Sequence, residues 1–398
     1  MRLGCIADDL TGATDLGVTL AREGLSVVQV NGLPDAGLEL PAADAVVVAL
    51  KSRTNPAPEA VAWSLASLGW LRAKGAERIY FKYSSTFDST PRGNIGQVVD
   101  ALRDALGARL APATPANPRV GRTVYKGNLF VGDVPIAESG MKDHPLTPMR
   151  DSNLVRVLGA QTPHKVALVP YDVIDRGPAA IKAKLAELGG EARHAILDAV
   201  REEHLVAAGE ACRDLQVVSG SAGLGMGIAR ALGVGRSSEK KLPRMQGPAV
   251  VLAGSCSQAT LGQVEAYQAP AYRLLPGKLD PEAALAWALK NLAASPLVYA
   301  SAPPAEIVPG KGEAIEQAFR FIARGLADKG VRKFVVAGGE TSGAVVEALG
   351  VRALAIGPEI DPGVPWTTAV GGEPRLLALK SGNFGSREFF GKALEMIR

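Results

Sequence analysis

Two adjacent carboxylates, Asp8 and Asp9, follow a short apolar run at residues 3–7 and precede a Thr-Gly step and a helix-like run at 13–23. This order places them at the carboxyl end of a strand, where open α/β sheets bind ligands. Neighbouring aspartates there are costly unless they bind something positive, hydrogen-bond a polyol, or act as acid or base. The alternative is that one merely caps the next helix, which contributes about 1 kcal/mol. A cap uses one carboxylate, whereas this turn offers two.

Two further polar clusters follow predicted strands in the same half of the chain, at 51–54 after the run 46–50 and at 82–94 after the run 79–81. If these strands are parallel, all three clusters lie at one edge of the sheet. Cations suit a carboxylate, and Asp, Ser and Thr suit hydroxyls, so the set predicts a site for a small polyhydroxylated acid. Each cluster alone could be a solvated loop or a turn before a helix. The expected substrate-binding residues are Lys51, Ser52, Arg53, Lys82, Asp88, Arg92, Gly93 and Asn94.

Turns rich in glycine and serine follow three predicted strands in the second half, at 254–257, 338–343 and 380–386. Glycines let a backbone approach a ligand closely, and the amino end of a following helix attracts phosphate. A nucleotide cradle is therefore predicted, with helix capping as the alternative. The chain has no G-x-x-x-x-G-K-[ST] segment, so the cradle is not a Walker P-loop. The expected nucleotide-binding residues are Ser255, Ser257, Gly338, Gly339, Glu340, Thr341, Ser342, Gly382 and Asn383.

Two other catalytic motifs are each excluded by one residue, which lies within the segment 218–225 or shortly after it. A nucleophile elbow needs glycine where Ser219 stands, and a dinucleotide fingerprint needs glycine where Ile228 stands. What remains is a small-residue turn that either packs a strand tightly on a helix or binds an anion. The four histidines lack the spacing and cysteine partners of a zinc site, and only His144, in a predicted loop, is a candidate for the site. The sequence identifies no metal ligands.

The elements that must position these residues alternate between β-branched runs and amphipathic stretches, which predicts an α/β fold of two domains, each a mostly parallel sheet flanked by helices. A hairpin at 124–136 and a proline-rich loop at 112–118 interrupt the alternation. Strands are predicted at 3–7, 45–50, 79–83, 166–170, 194–197, 217–219, 249–253, 297–300, 333–337, 353–356 and 376–379. Helices are predicted at 14–23, 58–74, 94–106, 179–188, 202–211, 282–293, 312–329 and 343–349.

The length of 398 residues also favours two domains, and the polar segment 236–247 is predicted to link a domain at 1–235 to one at 248–398. The 44 basic and 40 acidic residues nearly cancel, with no block of like charge, and aromatic residues are only 5%. These features argue against nucleic acid and membrane partners. Three distant cysteines suit a reducing compartment, and neither a signal-like start nor an apolar run of about 18 residues is present. A soluble cytoplasmic protein is expected.

Several of these segments together resemble the four-carbon acid sugar kinases, in order from residue 3 to about residue 390. The segments that carry the resemblance are 6–13, 50–54, 88–96, 338–342 and 379–385. Segments 142–149 and 360–367 are most similar to the branch that converts 3-oxo-tetronate to 3-oxo-tetronate 4-phosphate, whereas other branches act on threonate or erythronate. One departure is Pro91, where many relatives carry leucine; it should stiffen the turn before Arg92.

The resemblance implies an N-terminal acid-sugar-binding domain, a C-terminal nucleotide-binding domain, and an active site in the cleft between them. Phosphoryl transfer from ATP needs alignment and charge neutralisation, with a largely hydrated Mg²⁺ on the phosphates. Lys51, Arg53 and Arg92 are then expected to hold the substrate carboxylate. Asp8 and Asp9 would bind its hydroxyls, and one of them would orient or deprotonate the attacking hydroxyl.

Two rival functions stay open on the sequence alone. A non-catalytic acid-sugar-binding protein would keep the acidic rim but would need no second, glycine-rich rim. A nicotinamide-dependent dehydrogenase is disfavoured by the missing fingerprint. A homodimer is expected only because dimers are common.

Overall fold

A computed structural model describes residues 1–144, 146–233 and 242–398. The chain divides into two compact units, Met1–Ser238 and Glu239–Arg398. The first half of the predicted linker, 236–241, lies outside the described residues, and 242–248 carries no helix or strand.

A parallel sheet forms the centre of the first unit, with its strands in the order β2-β3-β1-β4-β11-β5-β10-β9. These strands are β1 (Leu3–Ala7), β2 (Val27–Asn31), β3 (Ala45–Ala49), β4 (Arg78–Lys82), β5 (Ala111–Thr114), β9 (Val166–Val169), β10 (His194–Leu197) and β11 (Val217–Gly220). An antiparallel sheet beside it consists of β6 (Arg122–Tyr125), β7 (Asn128–Val131) and β8 (Val134–Pro135). Every residue of β1 and β3 is buried, as expected for strands covered on both faces.

The helices of this unit connect successive strands. They are α1 (Leu10–Arg22), α2 (Ala57–Ala73), α3 (Ile95–Leu106), α4 (Leu154–Gly159), α5 (Tyr171–Ile174), α6 (Pro178–Leu188), α7 (Glu202–Cys212) and α8 (Ala222–Ala231). The chain runs from β1 through α1 to β2 and β3 on one side, and then through α2 to β4 on the other side of β1. The strand order therefore reverses between β1 and β4, and such a reversal opens a crevice at the carboxyl ends of the strands.

The second unit has a mixed sheet in the order β13-β14-β12-β15-β18-β17-β16, in which β16 and β17 form antiparallel pairs. Its strands are β12 (Ala249–Ala253), β13 (Ala271–Arg273), β14 (Leu297–Tyr299), β15 (Lys333–Ala337), β16 (Ala353–Asp361), β17 (Val364–Val370) and β18 (Leu376–Lys380). Its helices are α9 (Gln258–Ala266), α10 (Pro281–Lys290), α11 (Gly312–Asp328), α12 (Gly339–Ala348) and α13 (Phe389–Glu395). One side of the sheet packs around Trp366, Phe389 and Phe390, and the Trp366 indole donates to the Ala393 carbonyl at 2.9 Å. Here the strand order reverses between β12 and β15.

The predicted α/β class is confirmed, whereas several local predictions are wrong. The proline-rich loop at 112–118 begins as strand β5, because Pro112 pairs with Ala195 of β10 and the next two residues pair with β11. Helices predicted from residues 14 and 343 start earlier, at Leu10 and Gly339, since the polar residues before the apolar pattern form the first helical turns. The predicted hairpin is confirmed, because β7 and β8 pair across the Gly132-Asp133 turn, and β6 adds a third strand that was not predicted. Elements that the sequence did not predict are β2, β13, β17, α4, α5, α9 and α13.

Within the described part of the chain, none of the helices combines the length and the apolar character that crossing a membrane requires.

Candidate functional site

The polar clusters of the first unit do lie at one edge of its sheet. In the register of β1, Ala7 pairs with Ala49 of β3 on one side and with Lys82 of β4 on the other. The residues that follow these three strands therefore leave the sheet together, at the crevice where the strand order reverses. The backbone confirms this proximity, because the Asp8 carbonyl accepts from the amides of Ser52 and Arg53 at 3.0 and 3.2 Å.

Asp9 caps helix α1, so the capping alternative weighed for this pair is realised by one of its members. Its Oδ1 accepts from the Gly12 amide at 3.1 Å, and its Oδ2 accepts from the Thr11 hydroxyl at 2.9 Å. The side chain is still 23% exposed, which leaves carboxylate surface for a ligand.

Asp8 is the buried member of the pair, with 3% of its side chain exposed. Its carboxylate forms a bidentate ion pair with Arg53, whose Nε and Nη2 donate at 2.9 and 2.8 Å. The same Nη2 donates to Asp9 Oδ1 at 2.6 Å, and Nη1 lies 3.6 Å from Asp88 Oδ2. The guanidinium of Arg53, which follows β3, thus ties together two carboxylates that follow β1 and one that follows β4, which a planar fork of donors does well.

The two aspartates differ in acidity for reasons visible in their surroundings. Burial raises the pKa of Asp8, and the ion pair with Arg53 opposes that shift. Burial also acts to raise the pKa of Asp9, but Arg53, Lys82 and the bonds from Thr11 and Gly12 outweigh it and lower the pKa below its usual value. Asp9 is therefore ionised at neutral pH and is the more accessible of the two carboxylates.

Several predicted substrate-binding residues are buried and support the rim. Lys82 is almost fully buried and donates to the Tyr83 carbonyl at 2.9 Å. Asn94 donates to the carbonyls of Ser52 and Asn55 at 2.8 and 3.0 Å, which fixes the turn after β3. Ser52 itself is buried. A Cβ on Gly93 would lie 2.0 Å from Ser89 Oγ, so this position needs glycine.

Lys51 and Arg92 are the exposed cations among the predicted residues. Arg92 lines a cavity of about 690 Å³ together with the hydroxyl residues Ser89 and Thr90 and a second cation, Arg150. The ring of His144 is hydrogen-bonded within its own loop, where its Nδ1 lies 2.9 Å from the Thr147 hydroxyl.

In the second unit, the glycine-rich turns also converge at one edge. Ala337 of β15 pairs with Ala253 of β12 and with Lys380 of β18. The turns that follow are in van der Waals contact: a Cβ on Gly254 would lie 2.2 Å from Thr341 Oγ1, and one on Gly382 would lie 2.2 Å from Ser255 Oγ. Glycine is therefore what allows Gly254 and Gly382 to lie against the side chains of Thr341 and Ser255.

Beside this rim lies a cavity of about 290 Å³ with polar residues on one side and apolar residues on the other. The polar side comes from the turns and includes Ser255, Gly338 and Thr341. Its apolar wall consists of Pro276, Ala300, Ala302, Ile307, Val308 and Ile315. A slot of this kind accommodates a flat apolar ring next to backbone amides that bind phosphate.

The remaining predicted residues of this rim differ in accessibility. Gly339, Glu340 and Asn383 are exposed, whereas Ser342 is buried and its hydroxyl has no partner among the described residues. Ser257 caps helix α9 by accepting from the Thr260 amide at 3.2 Å, so capping is part of its role.

Three residues of this rim were missed by the sequence analysis: Thr260, Gln263 and Lys380. All three donate hydrogen bonds to carbonyls of the turn after β18. Thr260 donates to Gly382, Gln263 to Phe384, and Lys380 to Ser381. Thr260 and Gln263 belong to α9, which was not predicted. Lys380 opens the predicted turn 380–386, but nothing in its type or spacing distinguished it from a surface lysine, so it was not among the expected nucleotide-binding residues.

Comparisons with known proteins agree with this division of the chain. A model of a sugar-binding N-terminal domain matches residues 3–228, and a model of a nucleotide-binding C-terminal domain matches residues 250–390. A 3-oxo-tetronate kinase of Burkholderia multivorans is 51% identical over 99% of this chain and 97% of its own length. A 3-oxo-tetronate kinase of Pseudomonas fluorescens is 52% identical over the same shares of the two chains.

The chain is also similar to a solved structure from Salmonella typhimurium LT2, provisionally described as a tRNA synthase. The TM-score is 0.91, with 42% identity over 100% of both chains.

A sugar-binding domain joined to a nucleotide-binding domain, each with its polar residues at the carboxyl ends of parallel strands, defines a carbohydrate kinase. The protein is an ATP-dependent phosphotransferase that acts on an alcohol group. It belongs to the four-carbon acid sugar kinase family.

Proposed function

We propose that this kinase transfers the γ-phosphoryl group of ATP to the 4-hydroxyl of 3-oxo-tetronate and produces 3-oxo-tetronate 4-phosphate. The observation that carries the proposal is the acidic rim around Asp8, Asp9 and Arg53, in a sugar-binding domain whose full-length relatives carry this name at about half identity. Threonate and erythronate are the alternative substrates, because both present the same carboxylate and terminal hydroxyl.

On the acceptor side, Asp9 accepts a hydrogen bond from the attacking hydroxyl and orients it. A carboxylate with a lowered pKa is a weak base, which suffices because a loose phosphoryl-transfer transition state leaves the proton in place until late. Arg53, whose donors bind Asp8 and Asp9, keeps the acidic rim in position. The exposed cations Lys51 and Arg92 bind the substrate carboxylate, and Asp88 together with the hydroxyls near it binds the substrate hydroxyls.

On the donor side, the adenine ring enters the apolar slot, and the turns at 254–257, 338–342 and 381–383 hold the phosphates. The described residues contain no cluster of three or more His, Cys, Asp or Glu side chains that could hold a metal. A rim with few carboxylates fits Mg²⁺ that stays largely hydrated and arrives bound to the nucleotide. Glu340 is the exposed carboxylate of this rim. Bound there, Mg²⁺ would neutralise charge on the phosphates. Transfer requires that the substrate rim and the nucleotide rim face each other in the reacting complex.

The test is ADP release from ATP in the presence of 3-oxo-tetronate, threonate or erythronate. The highest kcat/KM is expected with 3-oxo-tetronate. A preference for threonate or erythronate would transfer the assignment to that acid. No ADP release with any of them would favour a non-catalytic acid-sugar-binding protein. A cytoplasmic location and a homodimer stay predictions, and size-exclusion chromatography with light scattering tests the latter.

Cys256 offers an independent test of the nucleotide site, because it is half-buried and lines the apolar slot. Cys5 and Cys212 are buried, and burial raises the pKa of Cys212 to about 12, so neither forms the reactive thiolate. Iodoacetamide is therefore expected to alkylate Cys256 alone in the native protein, and a nonhydrolysable ATP analogue should slow the reaction. Peptide mass spectrometry measures the site and rate, with Cys256→Ala as the control for labelling. Equal rates with and without the analogue would argue against this placement of ATP.

A further inference from the structure

The loop 381–386, which follows strand β18, has its carbonyls bound on one side by side chains. The Gly382 carbonyl accepts from Ser257 Oγ at 2.5 Å, from Thr260 Oγ1 at 2.9 Å and from Lys380 Nζ at 2.9 Å. Lys380 also donates to the Ser381 carbonyl at 3.0 Å. The Gln263 amide reaches the carbonyls of Phe384, Gly385 and Ser386 at 3.0–3.1 Å.

The amides of the same loop are less occupied than its carbonyls. Phe384 donates to the Ser381 carbonyl, and Ser386 donates to Asp361. The amides of Gly382 and Asn383 have no acceptor within 1–144, 146–233 and 242–398. Successive free amides of a turn can bind an anion, and Gly382 lies beside Ser255 of the nucleotide rim.

Lys380 lies beneath this loop, with its side chain completely buried. Its three N–H bonds go to Ser381 O, Gly382 O and Thr260 Oγ1, the last at 2.9 Å. No ion pair with a carboxylate is recorded for it among the described residues, so its charge is not neutralised by the protein. Because all three donors are used, the ammonium group does not itself contact a ligand.

We propose that Lys380 is the positioning residue of the phosphate site: its ammonium group holds the Ser381 and Gly382 carbonyls toward α9, which turns the Gly382 and Asn383 amides toward the phosphates of ATP. This inference rests on the proposed function and extends it to a residue that does not touch the ligand. The uncompensated charge adds attraction for the phosphates at short range, in a medium that screens it poorly.

Burial lowers the pKa of Lys380 to about 7. The charged groups on neighbouring elements are Asp361 and Lys392, which pair with each other at 3.0 Å, Glu265 of α9, which pairs with Arg387 at 2.8 Å, and the exposed Glu340 of α12. Phosphate charge favours the protonated lysine and raises its pKa in the complex. ATP affinity should therefore be highest below pH 7 and should fall as pH rises, by about tenfold per unit, until the pKa of the complex is reached.

The experiment is calorimetric titration with a nonhydrolysable ATP analogue between pH 7.5 and 9, in buffers of different ionisation enthalpy. The wild type is expected to take up a proton on binding, with affinity falling as pH rises. Lys380→Met should bind at least about tenfold more weakly at the lowest pH and should show no proton uptake. Lys392→Met is the matched control, since Lys392 bonds Ser386 at the far end of the same loop and should keep the wild-type profile.

Thr260→Val keeps the side-chain volume and removes the hydroxyl between Lys380 and Gly382, so it tests the same contact if Lys380→Met does not fold. A partial loss of affinity, with proton uptake retained, is expected. Wild-type binding without proton uptake, or full affinity in Lys380→Met, would overturn the role of Lys380 while leaving the kinase assignment intact. A wild-type protein that binds no nucleotide would overturn the kinase assignment as well.

Discussion

Asp9→Asn is expected to lower kcat by about 10²- to 10⁴-fold, the range that a positioned acid–base group contributes, and to leave the affinity for ATP unchanged. The substitution removes the negative charge that orients the attacking hydroxyl. It keeps an amide oxygen that can accept from Gly12, and asparagine caps a helix about as well as aspartate. The fold should therefore survive, and steady-state kinetics with calorimetry separates the two effects.

Asp133→Asn provides the matched control, because it makes the same change at an exposed turn between β7 and β8. It should have wild-type kinetics. Asp8→Asn should behave differently from both, since it breaks the bidentate pair that positions Arg53 and leaves a guanidinium short of a partner. Reduced thermal stability and a raised KM are expected there. Wild-type kcat in Asp9→Asn would remove Asp9 from the mechanism.

The pKa of Asp9 also determines how its contribution to turnover depends on pH. Because Arg53 and Lys82 lower its pKa against the effect of burial, Asp9 should stay ionised at neutral pH and at the acidic pH where an ordinary aspartate takes up a proton. Its contribution to turnover is thus present at neutral pH and is lost only as pH falls through the lowered pKa of Asp9.

Gly338→Ala is expected to weaken ATP binding strongly while leaving acid-sugar binding intact. Gly338 has φ 124° and ψ 137°, a conformation that alanine adopts only with strain of about 1–3 kcal/mol. Its Cβ would also lie 3.1 Å from the Ser255 amide nitrogen, so relief of the strain would move the rim. Affinity for ATP should fall on the order of tenfold to a hundredfold, since each 1.4 kcal/mol is tenfold.

The matched control is Gly343→Ala, one turn further along helix α12, where a Cβ would meet no atom within 4 Å. Alanine is the better helix former there, so binding should be unchanged and stability equal or higher. Calorimetry with an ATP analogue and thermal unfolding measure both variants. Wild-type ATP affinity in Gly338→Ala would exclude this turn from the nucleotide site.

The strand ends could be predicted from the sequence because each apolar run stops abruptly at a polar cluster. Once the strands are parallel, the register of Ala7 with Ala49 and Lys82 brings those clusters together. How the residues then pair could not be predicted. Substrate binding by Arg53 stays a prediction, and a motif does not reveal that Asp8 and Asp9 lie within reach of the same guanidinium.

Elements that lack apolar periodicity escaped prediction for a physical reason. Helix α9 buries Thr260 and Gln263, two polar residues whose bonds go to the turn after β18, so no apolar stripe marks it. Strand β5 contains Pro112, a residue that is depleted in strands because it lacks an N–H. Burial of Lys380 is likewise a tertiary property, which its position in the chain does not disclose.

Phosphate is expected to move from ATP to the terminal hydroxyl of a four-carbon acid sugar. This transfer can be followed by ³¹P NMR of the product formed from ATP and 3-oxo-tetronate. Carbon 4 carries a CH₂ group, so a phosphate there should give a phosphorus resonance split into a triplet, together with stoichiometric ADP. A doublet from a secondary alcohol, or ATP left unchanged beside the acid, would contradict this expectation.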